Sequence, residues 1–552
     1  MFINYSDLPN FTNLFLDYVY EFDKVKEFYL YNFRNQEEYA RKFNEISNSK
    51  RISPLELNKI ILNQYSNASF SKRTMSNISS LGNENSLAIV TGQQLAIFGG
   101  PLYTFYKIIT AIKFCTQLKD KFVDYDFVPI FWLEGDDHDF NEVRTINIFN
   151  NGNDNKKIEY LNAIDSPNEF GSVGNLKLKQ EIEATILELK SSLRVTDFSN
   201  ELTNLITNCY FPGNSFKAAF KSLLMKFFDE YGLVIIDPQD VAFKRLLIPV
   251  FEKELKCFFE HTQIILKRSA ILEEKYHAQV KIKPINLFLT DDSKRYLIEP
   301  DENGYRLKNK RKKFTQDELL ALLHESPELF SPNVLLRPIC QDYILPTAFY
   351  VGGPSEISYF AQVIPYYSIY NIIQPFIYPR ASVTLVEKNI NSLIGKYDLN
   401  ILDVFRNRKD MIPDIIKKHI NVNTDIMFSQ AQDEIKSAIE KLIADISNID
   451  PSIAQILDKL LEKQLQNLST SKSKIDSTII KKNEILNRQL NKIFNNILPE
   501  SNLQEREINF TYFANKYGID FISYLFNEIS VTKSEHQIIV IQSQETICLS
   551  CV

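Results

Sequence analysis

The stretch from Ser86 to Asp139 constrains this chain more than any other. SLAIVT (86–91) is a short, continuously apolar run. Thr91-Gly92-Gln93-Gln94 and then Phe98-Gly99-Gly100-Pro101 come next, and LYTFYKIITAIKFCTQL (102–118) places apolar residues at helical spacing. A second apolar run, FVPIFWL (127–133), leads into Glu134-Gly135-Asp136-Asp137-His138-Asp139. Strand, loop, helix, strand, loop is a βαβ unit of a parallel sheet. Both runs are apolar throughout rather than alternating, as strands covered on both faces should be. The fold class expected is therefore α/β.

The rest of the chain is organised around that unit. Residues 1–80 are helix-biased, with Ser53-Pro54 reading as an N-cap followed by proline in the first helical turn. Residues 151–228 are polar and then helical, and read as an insertion. The sheet resumes after Tyr231-Gly232 with LVIIDP. NLFLT (286–290) and RYLIEP (295–300) read as a hairpin, and the basic stretch NGYRLKNKRKKF (303–314) as a turn on a loop or second insertion. VLLRP (334–338), TAFYVGG (347–353) and QPFIYPR (374–380) are strand-like.

From about residue 386 the pattern is helical. Ile435, Ile439, Leu442, Ile446, Ile449, Ile453, Ile456 and Leu460 alternate spacings of four and three, the seam of a left-handed coiled coil, with a kink or a break between two helices expected at Pro451. A second seam, shifted in phase, runs from Leu461 to Ile497. The expected organisation is a core over 1–385 with insertions at roughly 151–228 and 301–333, a coiled-coil arm over 386–498 that also dimerises, and a segment over 499–552 that returns to the core. The runs QIIVIQS and ETICL in the tail suggest a terminal hairpin or an edge strand.

Composition closes off other classes. The 63 Lys+Arg and 69 Asp+Glu leave a net charge of −6, which argues against a chain-wide nucleic-acid binder. The N-terminus has no basic region ahead of an apolar run, and no apolar stretch approaches a membrane span, so a cytoplasmic protein without membrane partners is expected. Six scattered cysteines point to reduced thiols, and the terminal CxxC of Cys548 and Cys551 is read as incidental spacing. No spaced metal-ligand pattern appears, so no metal is assigned. With only 15 glycines in 552 residues, a glycine cluster carries information.

Three loops follow predicted sheet strands and should open at the strands' carboxyl ends, where open α/β sheets bind ligands. The first holds Thr91, Gly92, Gln93 and Gln94 with Gly99, Gly100 and Pro101. Tyr103 and Lys107 lie just inside the following helix, whose free N–H groups would attract an anion. It matches neither the GxxxxGK[ST] nor the GxGxxG phosphate loop. The second loop, after Trp132, offers Asp137, His138 and Asp139 for general acid–base work or amine recognition. The third brings Arg337, Gln341 and Asp342 towards Tyr350, Gly352, Gly353, Ser355 and Glu356, with Arg337 able to clamp a carboxylate. Arg380, His277, Gln279 and Asn286 are weaker candidates. No nucleophile elbow, HExxH or catalytic cysteine context is present.

Four motifs together resemble one family. They are Val90–Gln94 with Gly100–Thr104 and Lys107; Pro129–Trp132 with Asp137–Phe140; Leu336–Pro338, Gln341-Asp342, Leu345–Thr347, Tyr350–Pro354 and Glu356-Ile357; and Leu503–Arg506 with Asn509-Phe510 and Tyr517-Gly518. Over residues 85–525 the chain resembles the bacillithiol biosynthesis cysteine-adding enzymes. The resemblance implies a Rossmann-like parallel-sheet core with helical connecting-peptide insertions and a coiled-coil arm that forms a homodimer. It implies a ligase that joins L-cysteine to the amine of glucosaminyl-malate, in the thiol redox economy of the cell. Ser355 and the Glu134-Gly135-Asp136 step depart mildly from the family pattern, and no HxGH or KMSKS signature marks adenylate chemistry. Amide formation from a free carboxylate needs activation, for which ATP is one cosubstrate; no cofactor is assigned. On this reading Asp137, His138 or Asp139 serves the amine, and the helix starts at Gly99–Pro101 and Gly353–Ser355 hold phosphate or carboxylates.

Overall fold

The computed structural model describes all residues except 50–51, 67–69, 138, 153, 162–170, 407, 420–422, 447–450 and 542–552. The chain divides into two compact units, Met1–Leu385 with Asn502–Val552, and Val386–Ser501.

The first unit is built on five parallel strands: β1 (Ser86–Gln94), β2 (Asp126–Glu134), β3 (Val234–Ile236), β4 (Thr347–Gly352) and β5 (Phe376–Pro379). Their order is β5-β4-β1-β2-β3, with every neighbouring pair parallel. The chain builds outward from β1 on one side and then returns to build outward on the other. The direction reverses between β1 and β4, and such a switch point leaves a crevice beyond the strand ends. β1 and β2 pair without a slip from Ser86 and Asp126 to Gln94 and Glu134, so those last two side chains end flush at one edge.

Both faces of the sheet are covered, which is why its strands carry no polar alternation. On one face, Phe131 and Leu133 pack with Phe105, Ile109 and Ile112 of α1 (Leu102–Lys121) and with Phe220 and Leu224 from residues 151–228. Further along the same face, Leu87, Ile89, Phe349 and Phe376 pack with Phe114 of α1 and with Tyr39 and Phe43. On the opposite face, Trp132 lies against Phe243 and Tyr350 against Phe360. The turn from β1 into α1 needs its glycines. Gly99 (φ +81°) and Gly100 (φ +68°) adopt left-handed backbone, and a side chain on Gly100 would meet the Ala96 methyl at 2.9 Å.

The sequence reading differs from the structure in several places. Residues 334–338 are not a strand. The strand lies earlier, at Phe330–Pro332, pairing with Leu287–Asp291, and Arg337–Ile344 is a helix. The Pro338 ring suits a first helical turn, where its missing N–H leaves no bond unmade. The hairpin of Leu287–Asp291 with Lys294–Asp301 forms as expected. The tail run forms neither a hairpin nor an edge among the described residues. His536–Ile541 is the middle strand of a three-stranded sheet, between Phe2–Ile3 and Ser382–Glu387. ETICL and both cysteines of the CxxC lie outside the described residues.

The second unit is helical. Its two longest helices, Thr424–Ile446 and Pro451–Lys482, pack against each other, and Pro451 opens the second of them. Lys417 pairs with Asp425 (3.2 Å) and Asp476 (2.9 Å), pinning the shorter helix Arg408–His419 to both. Of the predicted seams, Ile439, Leu490, Ile493 and Ile497 are buried, while Leu442, Ile456 and Leu460 are exposed. Among the described residues no helix is long and apolar enough to cross a membrane.

Candidate functional site

A cavity of about 340 Å³ opens at the carboxyl edge of the parallel sheet, at the switch point between β1 and β4. Gly92, Gln93 and Gln94 enter from β1, and Glu134 from the end of β2. Tyr103 and Lys107 come from α1, and Glu142 from the short helix α2 (Phe140–Val143). Arg337 comes from α3 (Arg337–Ile344), and Gly353, Ser355, Glu356 and Tyr359 come from the start of α4 (Pro354–Ile369). Arg380, just beyond β5, and Arg506 complete the wall.

Gly92 is small for a reason. A side chain there would press on the Trp132 carbonyl oxygen at 3.1 Å. The buried Lys107 ammonium donates to Gly92 O (2.8 Å) and Gln93 Oε1 (2.9 Å), and pairs with Glu356. Glu356 also accepts from the Gly353 N–H (2.8 Å) and the Tyr350 hydroxyl (2.6 Å). Burial pulls the Lys107 pKa down, against the pull of Glu356. Burial also resists ionisation of Glu356, but Lys107 and the Gly353 N–H outweigh it and hold that carboxyl below its usual range.

Arg337 donates to the hydroxyls of Tyr350 (3.2 Å) and Tyr359 (2.7 Å), and its Nε stands 3.6 Å from Glu134 Oε2. Arg380 is locked from behind. It donates to Glu505 (2.7 Å) and to Ala381 O (2.8 Å), while its buried Nε has no hydrogen-bond partner among the described residues. Glu505 in turn accepts from Ser382 Oγ (2.9 Å) and the Val383 N–H (2.7 Å), and Ser382 bonds the buried ring of His536 (2.7 Å). The guanidinium of Arg380 lies 5.3 Å from the Tyr103 ring centroid. Arg506 is exposed at the rim. Four cations therefore face three carboxylates around one cavity, a setting that draws in an anion.

The first and third predicted loops meet at one cavity: Gln94 and Gly353 line it, with Gly92, Gln93, Tyr103, Lys107, Arg337, Ser355 and Glu356, while the second loop reaches it through Glu134. His138 lies outside the described residues. Asp137 accepts from Gln94 Nε2 at 2.8 Å, one bond behind the wall, and Asp139 caps α2 by accepting from the Glu142 N–H (3.2 Å). The other residues singled out from the sequence sit in the frame. Thr91 Oγ1 donates to Val351 O (2.9 Å), tying β1 to β4. Trp132 packs edge-on to Phe243, 6.4 Å between centroids. Gln341 is buried beside Asp342, donating to it at 2.8 Å, and Gly352 accepts the Arg380 N–H (2.9 Å).

Gly99 and Gly100 turn the chain against Leu223 and Ala96, away from the cavity. The helix start after them does not offer the open N–H groups expected. The Leu102 N–H donates to Ile508 O (3.0 Å), and Asn509 Nδ2 caps the carbonyls of Phe98 (2.9 Å) and Gly100 (2.6 Å). That closure comes from a segment some four hundred residues away.

Sequence reasoning passed over Glu134, Glu142, Tyr359 and Arg506 as site residues and ranked Arg380 low. Position after a strand would have recovered Glu134 and Arg380, since each stands at the carboxyl end of a sheet strand. A second cavity, of about 290 Å³, shares Gln93, Gln94, Tyr103, Glu142 and Arg506 with the first and continues past Thr145, Asn147, Asn502 and Asn509.

Comparison with known proteins identifies the family. Residues 1–381 match the family model described as the bacillithiol biosynthesis BshC N-terminal Rossmann-like domain, and residues 383–541 match the BshC C-terminal coiled-coil domain. A relative from Salinibacter ruber is 33% identical over 535 residues, covering 96% of this chain and 97% of the relative. One from Chloroherpeton thalassium is 33% identical over 540 residues (95% of each chain), and one from Chlorobaculum tepidum 32% over 555 residues (96% and 97%). All three carry the name "Putative cysteine ligase BshC".

Proposed function

This chain belongs to the bacillithiol biosynthesis BshC family, and from that premise we propose that it is a cysteine ligase joining L-cysteine to the amine of glucosaminyl-malate through an amide bond. The observation that carries the reading is the cation-rich cavity at the switch point, which suits a substrate bearing carboxylates. Arg380, with its buried and unpartnered Nε, and the exposed Arg506 are the groups that would bind them. The adjoining cavity, lined by Asn147, Asn502, Asn509 and Thr145, suits a hydroxyl-rich ring.

The amine must be neutral to attack, so a carboxylate has to lie close to it. Glu134 and Glu142 line the wall and Asp137 stands one bond behind it, while Glu356, also in the wall, is held by Lys107. The cysteine carboxylate must be activated, and ATP is the cosubstrate proposed for that step. A homodimer through the helical unit belongs to the same proposal. The exposed Leu442, Ile456 and Leu460 of its seam are what a second copy would cover.

The test is a deletion strain complemented with the gene. Restored bacillithiol, with glucosaminyl-malate accumulating only in its absence, is the expected result. Unchanged thiols in the deletion strain would overturn the assignment.

A further inference from the structure

Most carboxylates around the cavity are committed to donors. Glu356 holds Lys107, the Gly353 N–H and the Tyr350 hydroxyl. Asp136 holds Lys244 (2.7 Å) and Gln239 (3.1 Å), and Glu505 holds Arg380, Ser382 and the Val383 N–H. Asp137 accepts from Gln94 and from the Asp139 N–H (3.3 Å). Glu142 is exposed and bonded by Gln94.

Glu134 differs from all of them. It is the last residue of β2, directly across from Gln94, and it lines the cavity. Among the described residues its Oε2 is buried without a hydrogen bond, and the cation paired with it, Arg337 Nε at 3.6 Å, belongs to a guanidinium already donating to two tyrosines. A buried carboxylate left short of donors is the group best suited to take up a proton or an ammonium.

We propose that Glu134 is the proton acceptor for the substrate amine. The substrate enters as an ammonium. One N–H bond breaks, its electron pair stays on nitrogen as the attacking lone pair, and the proton forms an O–H bond on the Glu134 carboxylate. The step rests on the amine-acylating reading above.

The surroundings of Glu134 tune it for this exchange. Burial raises its pKa from the usual carboxylate range to about 7, with Arg337 opposing, Asp136 adding, Arg295 of the 287–301 hairpin opposing and Asp137 adding. Lys244, from the helix Val241–Leu246, neutralises Asp136. A base with that pKa exchanges protons at neutral pH, where general-base catalysis is most effective.

The test is Glu134→Gln, which keeps the shape and removes the charge, measured beside Glu142→Gln in the full-length enzyme. In the wild type, kcat/KM for glucosaminyl-malate should fall as pH drops below about 7. Glu134→Gln should lower kcat/KM by about 100-fold and lose that acid limb, while Glu142→Gln keeps it. Calorimetry in two buffers of different ionisation heat gives a readout without turnover. Binding of glucosaminyl-malate at pH 7 should release protons from the wild type, because the ammonium favours the ionised carboxylate, and release none from Glu134→Gln.

If the wild type binds and converts glucosaminyl-malate while Glu134→Gln keeps its rate, its acid limb or its proton release, the base assignment falls and the ligase reading stands. A wild type that neither binds nor converts the compound overturns both.

Discussion

Lys107 and Glu356 form a buried ion pair that ties the helix following β1 to the helix following β4, across the switch point of the sheet. Each partner carries further bonds: Lys107 to Gly92 O and Gln93, Glu356 to Gly353 and Tyr350. Removing one partner leaves the other as an uncompensated buried charge. Lys107→Met or Glu356→Gln alone should each cost about 3 kcal/mol of stability, and the double variant less than the sum. Urea unfolding of the three variants checks this; additive losses would mean that the two side chains do not act as a pair.

Arg506 tests the proposed anion-binding wall without disturbing the frame, because it is exposed. Arg506→Gln should raise KM for glucosaminyl-malate roughly 10-fold, the loss of one charge-assisted contact, with the melting temperature unchanged. The defect should shrink as salt rises and the charge is screened in the wild type as well. Equal KM values at low salt would take Arg506 out of the wall.

His536 makes stability depend on pH. Burial lowers its pKa from 6.5 to about 4, with Glu505 opposing and Arg380 adding to the shift. Between those values the unfolded chain binds a proton that the folded one refuses, so the contribution is complete above pH 6.5 and is lost as pH falls towards 4. From pH 7 to pH 5 the wild type should lose about 2 kcal/mol more stability than His536→Gln. Denaturant midpoints of both proteins at the two pH values give the comparison, and parallel losses would contradict it.

Gly100 is a backbone requirement rather than a ligand contact. Its φ of +68° with ψ of −161° lies in a region that only glycine occupies readily, and a side chain would strike Ala96. Gly100→Ala should destabilise the first unit by about 2 kcal/mol. Affinity for glucosaminyl-malate in the fraction that remains folded should match the wild type, as ligand titration at low temperature would show.

Ile456 and Leu460 carry the dimer proposal. Both are exposed seam residues on the helix Pro451–Lys482. Ile456→Glu with Leu460→Glu should shift sedimentation from dimer to monomer while leaving helical content within a few per cent. A wild type that sediments as a monomer would remove the premise.

How much of this could be read from the chain varies by element. β1 and β2 were legible because strands buried on both faces must be apolar at every position. The Gly99-Gly100-Pro101 turn was legible because few residues tolerate that backbone. The helix at Arg337–Ile344 was not, because Leu335, Leu336 and Ile339 are apolar for tertiary reasons, and a short apolar run fits either a strand or a helix. Arg337, Gln94 and Gly353 were recognised from their motifs, and Arg380 was ranked low because nothing near it in sequence reveals Glu505, more than a hundred residues on.

The amino-acid sequence by itself determined the parallel sheet, the turns at its edge and the family, since each depends on residues within a few positions of one another or on motifs kept in order. Only the tertiary structure decided what those turns face. Ile508 and Asn509 seal the helix start after Gly100, Glu505 and His536 brace Arg380, and Glu134 is left at the cavity with a carboxylate oxygen unpartnered. Such assignments are settled by which distant groups supply hydrogen bonds, and a donor contributed from hundreds of residues away leaves no mark on the local pattern.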